Sequence, residues 1–160
     1  MRAHDVQTAS PAETEALAER LGRAAMGGEV VGLEGELGAG KTCFVRGLAR
    51  GLDVDPESVA SPTFVIATEY RGGRLPLHHV DLYRLEPPLR DALFLREVLY
   101  GAGVAAVEWF DRLPPDTGDD ALRVTLRYDD GEGRRIRLAA HGARHEAWLA
   151  RALGAGDEDS

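Results

Sequence analysis

Apolar positions recur every three or four residues over some stretches of the chain and every second residue over others, and these two periods predict its helices and strands. The first helical stretch opens at Ser10-Pro11-Ala12-Glu13: Ser10 can cap, Pro11 suits the first helical position and Glu13 closes a capping box. Its apolar side reads Ala16, Leu17, Leu21, Ala24 and Ala25, and it is predicted to reach about Met26 before Gly27-Gly28 stops it. Val30-Val31-Gly32-Leu33 reads as a buried strand. A second helix, about Lys41 to Leu52, carries Phe44, Val45, Leu48 and Leu52 on one face. Gly47 and Gly51 within it either let it approach the sheet or end it. Thr63 to Tyr70 and Leu75 to Asp81 form a hairpin around Arg71-Gly72-Gly73-Arg74, and a helix from about Leu89 to Leu99 follows Pro87-Pro88. Val104-Ala105-Ala106-Val107 is a buried strand ending at Glu108. Leu122 to Tyr128 and Arg135 to Ala140 alternate about a turn at residues 129–133, a second hairpin whose alternate arginines face water, and a last helix spans about Ala143 to Leu153. The order predicts an α/β domain over residues 1–153, three-layered, with helices on the faces of a mixed sheet that includes antiparallel hairpins. Residues 154–160 read as an acidic tail.

Composition narrows the class. A chain of 160 residues with 44% hydrophobic and 29% charged residues suits one folded domain. Its net charge of -8 argues against a protein that grips nucleic acid alone, since such binding rests on neutralising phosphates. Cys43 is the single cysteine, so no internal disulfide forms. No signal-peptide core opens the sequence and no run approaches the ~20 apolar residues of a membrane span, so a cytoplasmic location is expected.

The chemistry concentrates in Gly35-Glu36-Leu37-Gly38-Ala39-Gly40-Lys41-Thr42, which fits G-x-x-x-x-G-K-[ST] between a strand and a helix. Glycines let the backbone curl so that the N–H groups of Glu36, Leu37, Gly38, Ala39 and Gly40 face phosphate oxygens, and the following helix adds its positive end. Lys41 is the only lysine; the other eighteen cationic side chains are arginines. A compact ammonium on a flexible stem fits inside such a loop, where a planar guanidinium does not. Lys41 is therefore expected to reach the β- and γ-phosphates, and Thr42 to offer its hydroxyl to Mg²⁺. The chain has no asparagine, hence no Asn-Lys-x-Asp guanine element, and ATP is the expected nucleotide. Asp81 and Glu108 both end apolar strands, where ligands bind in open α/β sheets, and either suits the metal's water shell or the attacking water. Thr63, in Ser61-Pro62-Thr63-Phe64, has the character of a switch-loop residue sensing γ-phosphate. His78 and His79 face opposite sides of their strand, one core and one exposed, which makes a poor metal pair. Trp109 suits either packing or stacking.

In series, the phosphate loop, Ser61-Pro62-Thr63-Phe64, His79-Val80-Asp81-Leu82-Tyr83-Arg84-Leu85 and Val107-Glu108-Trp109 resemble the TsaE family, also called YjeE, over roughly residues 10 to 140. The resemblance implies a small bacterial ATPase of tRNA threonylcarbamoyladenosine synthesis. It assigns Lys41 and Thr42 to phosphate and Mg²⁺, Asp81 to the metal's second support, Glu108 to the water and Thr63 to the γ-phosphate switch. It also implies a complex with the TsaB–TsaD pair, which modifies adenosine 37 of tRNA, so that tRNA is met through that complex rather than directly. Cys43 departs from the family's more usual serine or threonine, a position able to contact the α-phosphate. Two other readings share the phosphate loop: a small-molecule kinase, which needs an acceptor pocket and an arginine-bearing lid, and a nucleotide-binding scaffold without hydrolysis.

Overall fold

The apolar run that leads into the glycine-rich loop, β2 (Glu29–Gly35), lies inside a seven-stranded sheet. In chain order the computed structural model contains β1 (Arg2–Thr8), α1 (Pro11–Ala24), β2, α2 (Lys41–Gly51), a 3₁₀ turn (Pro56–Ser58), β3 (Ala67–Tyr70), β4 (Leu77–Asp81), β5 (Val104–Glu108), β6 (Ala121–Tyr128), β7 (Arg134–His141) and α3 (Ala143–Leu153). It describes residues 2–35, 40–59, 67–81, 99, 101–108, 120–129 and 131–154. The expected positions Glu36, Leu37, Gly38, Ala39, Thr63 and Trp109, and the helix over 89–99 apart from buried Leu99, lie outside the described residues.

The sheet order is β1-β7-β6-β2-β5-β4-β3. β2 runs parallel to β5 and β6, and β4 runs parallel to β5. The two expected hairpins supply antiparallel pairs toward the two edges, β3 with β4 and β6 with β7. Every residue of β5 is buried, as a parallel strand covered on both faces requires. On one face Val31, Leu33, Val104, Leu122, Val124 and Leu138 pack under α1, α2 and α3. The water-facing arginines of the second hairpin are confirmed: Arg123, Arg127, Arg135 and Arg137 are exposed, with buried Leu122, Val124, Leu126, Ile136 and Leu138 alternating among them. Among the described residues no helix is long and apolar enough to cross a membrane.

One strand lies outside the expectations, and two local expectations need correction. Residues 2–8 form an edge strand, β1, antiparallel to β7, although their sequence offers only Val6 as a large inward apolar residue. α1 buries Thr14, Leu17, Ala18, Leu21 and Gly22, leaving Ala16 exposed; it ends at Ala24, where Arg74 donates to the carbonyls of Ala25 and Gly22 at 2.8 Å each. Gly51 ends α2, as one of the two expectations has it, but both Gly47 and Gly51 face α1 rather than the sheet. A Cβ on Gly47 would collide with the Glu15 carbonyl, and one on Gly51 with that of Glu19, so these glycines set the close crossing of the two helices.

His145 ties α3 to β2. It is fully buried; Nε2 accepts from the Val30 N–H at 2.9 Å, so the proton sits on Nδ1, 2.6 Å from Asp120 Oδ1. Burial lowers its pKa below the ordinary 6.5, partly opposed by the Asp120 hydrogen bond. The unfolded chain therefore binds this proton first as pH falls. The stabilisation is full above 6.5 and is lost as pH drops through the lower folded value. We expect the urea midpoint to fall below pH 6.5, and His145→Ala to be less stable at neutral pH with a flatter slope in that window; an unchanged slope would contradict the role.

Candidate active site

The edge of the sheet where β2, β5 and β4 end is built by register. Leu33 lies beside Glu108, and Glu108 beside Asp81, so the two sequence-predicted carboxylates occupy neighbouring backbone positions two residues before the phosphate-loop strand closes. Gly35, that strand's last residue, pairs with Leu126 of β6, and a Cβ there would lie 2.8 Å from the Leu126 carbonyl oxygen. Only glycine brings the chain out of the sheet that close to β6.

Gly40 then starts α2 at φ 106°, a left-handed geometry suited to glycine. The first turn of α2 holds no acidic residue, and no side chain caps it. The N–H groups at a helix start have no intrahelical partner, and the helix dipole makes this end positive. An acid or a capping side chain here would compete with an incoming anion. Lys41 is buried, 7% exposed, and its Nζ donates to the Gly35 carbonyl at 3.3 Å, so the ammonium reaches back across the loop. Thr42 follows at the second helical position, half-buried. Cys43 donates its thiol to the Pro11 carbonyl at 3.0 Å, and burial, then Glu15, pushes its pKa up, keeping it a neutral thiol tied to α1.

Glu108 is 6% exposed, and its Oε2 lies 2.6 Å from Nε2 of fully buried His79. An ionised carboxylate only accepts, so the shared proton belongs on Nε2, and the buried Nδ1 is left as a lone pair with no hydrogen-bond partner among the described residues. His79 thus holds one oxygen of Glu108 and fixes its rotamer. The sequence reading missed this pair; of the two histidines it divided into core and exposed, His79 is core as expected, whereas His78 is half-buried and reaches the Ala102 carbonyl at 3.1 Å. Pairing His79 with Glu108 requires knowing that β4 and β5 are neighbours.

The residues present fit a magnesium triphosphate. No group of three or more metal-ligating side chains occurs among the described residues, which excludes an all-protein cage there. Magnesium on a nucleotide needs only one or two protein oxygens beside phosphates and water, and Thr42 with a strand-end carboxylate meets that need.

Comparisons with known proteins identify relatives of the chain. A family model described as threonylcarbamoyl adenosine biosynthesis protein TsaE matches residues 8–136. The chain is 41% identical over 140 residues to the tRNA threonylcarbamoyladenosine biosynthesis protein TsaE of Bacillus subtilis, covering 88% of this chain and 87% of that one. It is 42% identical over 130 residues to the protein of the same name from Aquifex aeolicus, covering 81% and 90%. The crystal structure of Bacillus subtilis YdiB superposes with a TM-score of 0.75 at 32% identity, over 99% of this chain and 97% of that one.

Proposed function

This chain belongs to the TsaE family, and from that premise we propose that it is a magnesium-dependent ATPase that supports repeated turnover of a TsaB–TsaD complex in the threonylcarbamoylation of tRNA adenosine 37. The observation that carries the reading is Lys41 Nζ turned back to the Gly35 carbonyl at the uncapped, acid-free head of α2. A cation and the positive N-terminal end of a helix converge where a triphosphate would lie.

In this reading the loop backbone and Lys41 hold the β- and γ-phosphates. Thr42 and Asp81 support the magnesium site, where the metal, when bound, supplies charge neutralisation between the phosphates. Glu108, held by His79, orients the attacking water, and Thr63 senses the γ-phosphate. Phosphoryl transfer has a loose transition state whose catalysis is positioning and charge stabilisation. A partner that completes the charge environment therefore accelerates it. Reconstitution with TsaB, TsaD, threonylcarbamoyl-adenylate and tRNA tests this directly. Modified tRNA should exceed the amount of TsaD only when the chain and ATP are both present. Equal yield without the chain would refute the proposal.

A further inference from the structure

The acids and the phosphate cradle leave the nucleoside only one side to occupy. β5 and β4, bearing Glu108 and Asp81, flank β2 on one side, and β6 flanks it on the other. A triphosphate whose γ end meets Glu108 runs back along the head of α2 toward β6 and β7. There the core face of the hairpin continues beyond the helix layer. Leu126 and Ile136 are buried, and the next same-face pair outward, Tyr128 opposite Arg134, emerges at the edge. Tyr128 is 47% exposed; among the described residues only Met26 is another large hydrophobic side chain so open.

The pair is organised. The Arg134 guanidinium lies 4.7 Å over the Tyr128 ring, and its NH1 donates to the Gly133 carbonyl at 2.7 Å. Its Nε lies 4.0 Å from where a Cβ on Gly40 would sit, which brings the cation to the start of α2. A guanidinium over a phenol ring offers a cationic and aromatic surface beside the start of α2, and a nucleobase can pack on such a surface.

From this geometry we infer that Tyr128, backed by Arg134, is the base platform of the site and takes the purine of a nucleoside triphosphate. The inference rests on the phosphate-cradle reading of residues 35 to 42. Stacking reads no hydrogen-bond pattern, so the platform adds affinity for the base as a surface, with purines gaining more than the smaller pyrimidines.

The test compares MgATP with magnesium tripolyphosphate, which has the phosphates and no base, by calorimetry and competition against the wild-type chain, Tyr128→Ala and Tyr128→Phe, each checked for folding by its thermal midpoint. Tyr128→Ala is expected to bind ATP about tenfold more weakly, tripolyphosphate as before, and Tyr128→Phe is expected to restore ATP binding. Unchanged ATP affinity in Tyr128→Ala, or an equal loss for both ligands, overturns the platform while leaving the cradle standing. A wild-type chain that binds neither ligand overturns the cradle and the platform together.

Discussion

Lys41→Ala is expected to lose MgATP binding by a hundredfold or more while keeping the fold. Lys41 supplies the one side-chain ammonium in the chain, and it is buried against the Gly35 carbonyl. Exchanging a neutral carbonyl for two phosphate oxygens makes two charge-assisted bonds, each carrying ~1.5–3 kcal/mol, which together span roughly two to four decades of affinity. Lys41→Arg should fail to rescue, because the planar fork cannot fold into the space the ammonium occupies. Calorimetric titration with MgATP checks both variants. An affinity within threefold of wild type in Lys41→Ala would remove the lysine from the site.

Glu108→Gln should produce the second large effect, in rate rather than binding. With partners present, hydrolysis is expected to fall by about 10²–10⁴, the usual contribution of a group that orients and deprotonates a nucleophile, with MgATP affinity within a few-fold of wild type. The amide keeps the shape of the carboxylate and can still accept from His79, so a loss in the rate isolates the charge. His79→Ala should lower the rate less, since it frees the Glu108 rotamer without removing the carboxylate. Labelled-ATP turnover measures all three. A Glu108→Gln chain that turns over at the wild-type rate would favour the scaffold reading over the ATPase.

What the sequence revealed follows from how far apart the interacting residues lie. α3 appears at its expected bounds because its apolar period and the glycines that flank it, Gly142 and Gly154, are local signals. The second hairpin is nearly as legible: alternation and a glycine-bearing turn are local signals, and the observed strands extend it by only one residue at each end. The placement of Gly40, Lys41 and Thr42 at the head of a helix is contiguous in sequence and equally plain.

β1 escaped because an edge strand is held by backbone bonds to β7, which its side chains barely report. Gly47 and Gly51 announced a close approach without naming α1 as the neighbour, since a missing Cβ says that something is near and not what. The His79–Glu108 contact joins residues 29 apart in sequence through the pairing of two parallel strands, and Arg134, which lies over Tyr128 within its own hairpin, comes near Gly40 only once β6 lies beside β2. Local motif announced the cradle; long-range register assembled what surrounds it.

The central claim is that a triphosphate lies at the start of α2 in the grip of Lys41. A crystal structure with magnesium and a non-hydrolysable ATP analogue tests it most directly. The account predicts Lys41 Nζ released from the Gly35 carbonyl and bonded to β- and γ-phosphate oxygens, with the γ-phosphate on the Glu108 side of β2. An analogue bound elsewhere, or a lysine still bonded to Gly35 in the presence of saturating ligand, would contradict it.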